Sequence, residues 1–328
     1  MKLRIPFALS LILLAGAAAF LGSCGSSNNP TSVMVYPTPV PGTALYQWGG
    51  SGSGNGKFSA PQALSLPSSA SLVFVADGGN NRVQYFNTSG GYIGQWGTFG
   101  TTNGKFETPN GIAVNQAGTT VYVTDSVNDR VESFGVTGAY QGQWGAAGSG
   151  PASFAGPGAI VVNASGTTVY VADIGNNRVQ YFNPNGGYLG QWGFAGSGPA
   201  SFAGPSGVAV NQAGTTVYVS DSGNNRVQYF DPAGNYLGQW GALGAANGDL
   251  NDPQGLSINS SATTIFVADD NNNRVEYFSP TGGYLGQVGT AGSGAGNLAN
   301  PMGVAINSVG SVLFVADTGN NRVESFAP

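Results

Sequence analysis

The sequence has no histidine, one cysteine and three methionines in 328 residues, and only 8 % of its residues are charged. Without histidine, the commonest general base and the commonest neutral metal ligand are missing from any site. A single thiol excludes an internal disulfide and every multi-cysteine zinc spacing. Ser-His-Asp and Cys-His constellations and a phosphate-cradling loop are also absent. So few charges leave no amphipathic helix with a charged face. From Cys24 onward, 8 basic side chains stand against 15 acidic ones, a net charge of −7. That is the wrong sign for a phosphate backbone and argues against nucleic acid as a partner.

What the chain has instead is glycine (55) and proline (18) punctuating short runs rich in Val, Tyr, Phe and Thr, an all-β composition. These runs repeat. The stretch VYVADIGNNRVQYF, Val169 to Phe182, returns in close copies every 48 residues. Its aspartate stands at Asp77, Asp125, Asp173, Asp221, Asp269 and Asp317, and its arginine five residues later at Arg82, Arg130, Arg178, Arg226, Arg274 and Arg322. In one copy, PSGVAVN (Pro205 to Asn211), TVYVSD (Thr216 to Asp221), RVQYF (Arg226 to Phe230) and YLGQW (Tyr236 to Trp240) read as four short strands bounded by turn residues. Val217 and Val219 point to one side of their strand and Tyr218 to the other, so both faces are apolar and need cover. Stacking on copies of itself supplies it, and a four-stranded unit of this length is the blade of a β-propeller.

The sixth copy ends at Pro328, just after RVESF, and lacks its fourth strand. Counting one period beyond Val288 gives position 336, and six periods back from there is Trp48 in ALYQWG. Ala44 to Gly49 is therefore expected to pair with Arg322 to Phe326 and close the ring, removing the sheet edge that an open array would leave. The expected architecture is an all-β, six-bladed propeller over residues 44–328.

The segments DIGNNRVQYF, DSGNNRVQYF and DTGNNRVESF, each preceded by a PxG strand and a VYVA-like strand, resemble the NHL repeat. The resemblance implies six blades of the NHL type. Relatives of that kind include sensors, RNA-binding modules, protein-interaction platforms and a few lyases and lactonases. The RNA binders use basic surfaces, and the metal-dependent lyases use histidines; neither feature is present here.

The N-terminus has a basic start (Lys2, Arg4), an apolar run from Phe7 to Phe20, and then Leu21-Gly22-Ser23-Cys24. The run is short for a membrane span and suits a signal peptide over residues 1–23. Leu-Gly-Ser-Cys resembles the bacterial lipobox, which implies that Cys24 is acylated and holds the protein on the cell envelope, outside the cytoplasm, through lipid alone. An ordinary secretory signal with a stray cysteine is the alternative. Residues 24–43, rich in Ser, Asn and Pro, read as a tether.

The Asp and Arg of the repeated turn invite two readings. In one they fasten the turn, with Asn and Gly supplying left-handed backbone. In the other they form a ring of polar hairpins that binds glycan, peptide or Ca²⁺. Asp269 with Asp270 is the densest acidic step and the candidate for a cation; no other metal or cofactor is indicated. Trp48, Trp96, Trp144, Trp192 and Trp240 are expected to pack between blades, the other reading being carbohydrate stacking. Glu132, Glu276 and Glu324 occupy a position that is Gln84, Gln180 and Gln228 elsewhere, which reads as neutral exchange. The function expected is a non-catalytic, monomeric binding or scaffold module for a protein or glycan. The alternative is a lactonase-like hydrolase or lyase with a cation in the central channel.

Overall fold

Residues 42–69 and 71–328 are described by a computed structural model. The leader, Cys24 and all but the end of the expected tether lie outside the described residues. Among those described, no helix is long and apolar enough to cross a membrane.

Strands rich in β-branched and aromatic residues, cut by Gly, Pro and Asn, form six antiparallel four-stranded sheets. Blade 3 shows the plan. Its strands run Pro157–Val162, Val169–Asp173, Arg178–Phe182 and Tyr188–Trp192, each paired with the next. Between the middle two, Ile174–Asn176 makes one 3-10 turn, and Asn177 leaves it at φ 55, in the left-handed region that asparagine tolerates.

Every residue of Val169–Asp173 is buried, so the strand is covered on both faces. Val169 and Val171 pack with Phe154, Phe182 and the preceding blade's Tyr122, whereas Tyr170 packs with Trp192 and the following blade's Val217, Val219 and Phe230. Six such clusters, one at each blade boundary, form a continuous apolar ring. The tryptophans lie in it: Trp48, Trp96, Trp144, Trp192 and Trp240 each pack against a phenylalanine of the next blade, at ring separations of 5.7–6.0 Å.

The sixth blade takes Pro301–Ile306, Leu313–Asp317 and Arg322–Phe326 from one end of the chain and Ala44–Gly49 from the other. Trp48 stands opposite Val323, the register that Trp192 and Val179 hold within blade 3. The N-terminal strand thus closes the ring, as the repeat arithmetic requires.

The first strand of each blade lines the central channel, in contact with its counterparts on either side. Near the start of these strands the approach is close: a Cβ on Gly207 would collide with the Gln254 carbonyl oxygen of the next blade. Toward their ends they flare around a cavity of about 390 Å³, walled by Leu64, Ile112, Ile160, Val208, Leu256 and Val304.

Candidate functional site

The polypeptide crosses from blade to blade along connectors such as residues 193–204, between Trp192 and Pro205. Each connector lies outside the sheets, so its carbonyl groups need donors from elsewhere. It also sinks one apolar side chain between blades: Phe58, Phe106, Phe154, Phe202, Leu250 and Leu298 are all fully buried.

The Asp and Arg of the repeated turn sit directly beneath these connectors. In blade 3 the Arg178 Nε donates to Asp173 Oδ2 at 2.7 Å. Its Nη1 donates to the Ser149 carbonyl and to Gln191 Oε1, and its Nη2 to the carbonyls of Gly150 and Ser153, all at 2.7–2.8 Å. All five guanidinium donors are therefore used within the blade and its incoming connector. Asp173 is equally committed. Its Oδ1 accepts the Ala155 N–H at 2.8 Å, and its Oδ2 also accepts from Asn176 and Gln180. The Asp–Arg bond measures 2.6–2.8 Å in every blade, with each aspartate fully buried and each arginine at most 8 % exposed. The 12 charged residues singled out by the repeat thus assemble into six separate ion pairs directed inward. In one of them, Asp125, burial pushes the carboxyl up while Asn128, the Glu107 N–H and Arg130 pull it down.

The left-handed residue ending each turn reaches forward to the next connector. Asn81, Asp129, Asn177, Asn225 and Asn273 each accept a backbone N–H, from Thr108, Gly156, Gly204, Asp252 and Asn300 respectively, at 2.7–3.0 Å. Asn321 accepts that of Ala60, completing the circle. Each connector is therefore clipped by the blade it leaves and by the blade it enters.

Asp269 and Asp270 do not come together as a cation site. Asp269 Oδ2 is taken by Arg274 and Asn272 and its Oδ1 by the Asn251 N–H. Asp270 is half-buried with Oδ1 unpaired; burial pushes its pKa up, a hydrogen bond from Asn300 opposes this, and Asp252 and Asp269 add to it. No group of three or more Cys, Asp or Glu side chains able to share an ion occurs among the described residues. The residues lining the channel cavity include no carboxylate.

Two features of the connector face were not legible in the repeat. Phe99, Phe194 and Leu243 stand 66 %, 63 % and 68 % exposed on three different connectors. Phe99 and Leu243 share a repeat position that is Ser or Ala in the other four copies, and Phe194 holds one that is Gly, Thr or Ala in the other five; that irregularity is the available signal. The second is the Gln/Glu position. Gln84, Gln180 and Gln228 and Glu132, Glu276 and Glu324 are essentially inaccessible and lie against the Asp–Arg pairs. Exchange there is not neutral, because it replaces an amide donor with an acceptor. Its signal was the spacing: two residues beyond the arginine on a strand is the same face.

A model of the SMP-30/gluconolactonase/LRE-like region matches residues 87–205, and one of the NHL repeat matches residues 202–230. No curated protein matches the chain. Among solved structures, a chain of Kuenenia stuttgartiensis hydrazine synthase superposes with a TM-score of 0.58 at 13 % identity, over 84 % of this chain and 98 % of its own. A chain from a nidogen/laminin complex does so with a TM-score of 0.55 at 17 % identity, over 70 % and 80 %. At such identities the likeness concerns the fold. By blade count, repeat and these similarities, the chain is an all-β, six-bladed propeller carrying NHL repeat sequence.

Proposed function

We propose that the protein is a non-catalytic binding module that docks a protein partner on its connector face, and that acylated Cys24 holds it on the bacterial cell envelope. The observation that carries the docking reading is the pairing of saturated joints with exposed apolar tips. The Asp–Arg pairs spend their hydrogen bonds inward, whereas Phe99, Phe194 and Leu243 project from the same connectors into solvent. Exposed aromatic and aliphatic side chains on a rigid frame are the usual anchors of protein interfaces. The test is a peptide array and a glycan array probed with the protein and with its F99S/F194S/L243S variant. Binding to peptides that the variant loses at unchanged melting temperature supports the reading; binding to glycans alone, unaffected by the variant, overturns it. For the anchor, Cys24→Ser is expected to move the protein from the membrane to the soluble fraction.

The match of residues 87–205 to the gluconolactonase-like model favours lactone hydrolysis as the second reading. Turnover of simple lactones in the presence of Ca²⁺ or Mn²⁺ would establish it over docking alone.

A further inference from the structure

In blades 1, 3 and 4 the buried glutamine fills three roles. Nε2 of Gln84, Gln180 and Gln228 donates to the aspartate Oδ2 at 3.0–3.1 Å and to a connector carbonyl at 2.7 Å. Oε1 accepts a connector N–H, that of Gly56, Ala152 or Ala200, at 2.9 Å. In blades 2, 5 and 6 the glutamate keeps only the last role, accepting from Gly104, Gly248 and Gly296 at 2.8–3.2 Å. Its second oxygen takes the place of the amide nitrogen. Oε2 of Glu132, Glu276 and Glu324 is buried with no hydrogen-bond partner. By the repeat, its neighbours are the aspartate Oδ2 and the carbonyls of Lys105, Asp249 and Asn297, all acceptors; Glu324 Oε2 also has the Arg322 Nε at 3.3 Å, but that N–H is given to Asp317 at 2.6 Å.

The charges point the same way. Each of these pockets holds two carboxyl groups and one guanidinium, and the guanidinium is nearer the aspartate, at 2.6–2.8 Å, than the glutamate, at 3.2–3.6 Å. One cation neutralises one carboxylate, and a second buried negative charge beside it is unfavourable. We propose that Glu132, Glu276 and Glu324 are held as carboxylic acids, each giving its proton to the neighbouring aspartate, so that the connectors of blades 2, 5 and 6 are fastened by a titratable hydrogen bond where those of blades 1, 3 and 4 are fastened by a permanent one.

The groups facing each glutamate are few. Glu132 meets Asp125, Arg130 and Tyr140; Glu276 meets Asp269, Arg274, Tyr284 and the connector's Asp249; Glu324 meets Asp317 and Arg322. Burial outweighs the connector N–H and the arginine, pushing Glu132 and Glu276 up to about 7 and Glu324 in the same direction. Because the folded protein holds these protons more tightly than the unfolded chain, the stabilisation is complete below pH 4.5 and is lost as the pH rises through about 7.

The chain has only four glutamates, Glu107 being the fourth, so ¹³C-glutamate labelling gives a readable carboxyl spectrum. The Glu132 and Glu276 resonances are expected to deprotonate near pH 7 in the folded protein, and that of Glu324 to titrate above the ordinary glutamate range. The protein should melt roughly 5 °C or more lower at pH 8.5 than at pH 5.5, and the E132Q/E276Q/E324Q variant should lose most of that difference. Glutamate resonances that all titrate near pH 4.5 would overturn the proposal, as would a variant whose melting temperature falls with pH as the wild type's does. The spectrum of the unmodified protein decides the matter even if the triple variant fails to fold.

Discussion

The two faces of the propeller are built from the same 48-residue repeat and hold together by different means. On the connector face, a buried arginine in every blade spends five donors on backbone and side-chain acceptors, and a turn asparagine or aspartate clips the following connector. On the opposite face the turns bond mostly locally, as where Asn163 Oδ1 accepts the N–H groups of Thr167 and Thr168, and ties between blades are single hydroxyl bonds such as those of Ser68 to the Gln116 carbonyl and Tyr122 to the Pro184 carbonyl. The connector face also draws the channel strands together at Gly207, while the other face leaves the cavity of about 390 Å³. The difference follows from where the chain crosses a blade boundary. Only the connectors do so, and their backbone has no ladder to satisfy it, so the polar fastening collects on that face.

The sharpest way to break this contrast is to remove one fastener. Asp173→Ala strands Arg178 as a buried, uncompensated charge and leaves the Ala155 N–H unpaired, which should cost about 3–5 kcal/mol in urea unfolding. Next comes the close approach of the channel strands. Gly207→Ala places a methyl group against the Gln254 carbonyl and should cost roughly 1–3 kcal/mol by the same measurement. The smallest effect is expected on the opposite face, where Asn163→Ala removes exposed turn hydrogen bonds worth about 1 kcal/mol or less. If Asn163→Ala proved as damaging as Asp173→Ala, the division of labour between the faces would be wrong.

Much of this frame is legible in the sequence. The period places every Asp–Arg pair, the count from Trp240 to Val288 and beyond finds the closing strand, and the alternation in VYVSD requires a neighbour on each side. The acceptors of the arginine donors are not legible, because they are backbone carbonyls. Positions 53, 101, 149, 197, 245 and 293 vary among Ser, Thr and Ala, since only the main-chain oxygen is used. The role of Glu132 is hidden in the sequence for a related reason. On an exposed strand, Glu and Gln are interchangeable, and only the burial of that position turns one missing hydrogen into a change of charge state.

The closing strand has a consequence in time. Tyr46 and Ser325 exchange hydrogen bonds across 279 residues, whereas every other strand pairs with one close by in the chain. Closing a loop of that length carries an entropy cost of about 5 kcal/mol, which falls on a single step if the five continuous blades are already stacked. Residues 44–49 are among the first of the described segment to leave the ribosome, yet they stay unpaired until residues 322–326 follow them. If the five continuous blades stack first, the last act of folding joins the oldest part of the ring to the newest, and until then the sixth blade exposes an edge open to the wrong partner.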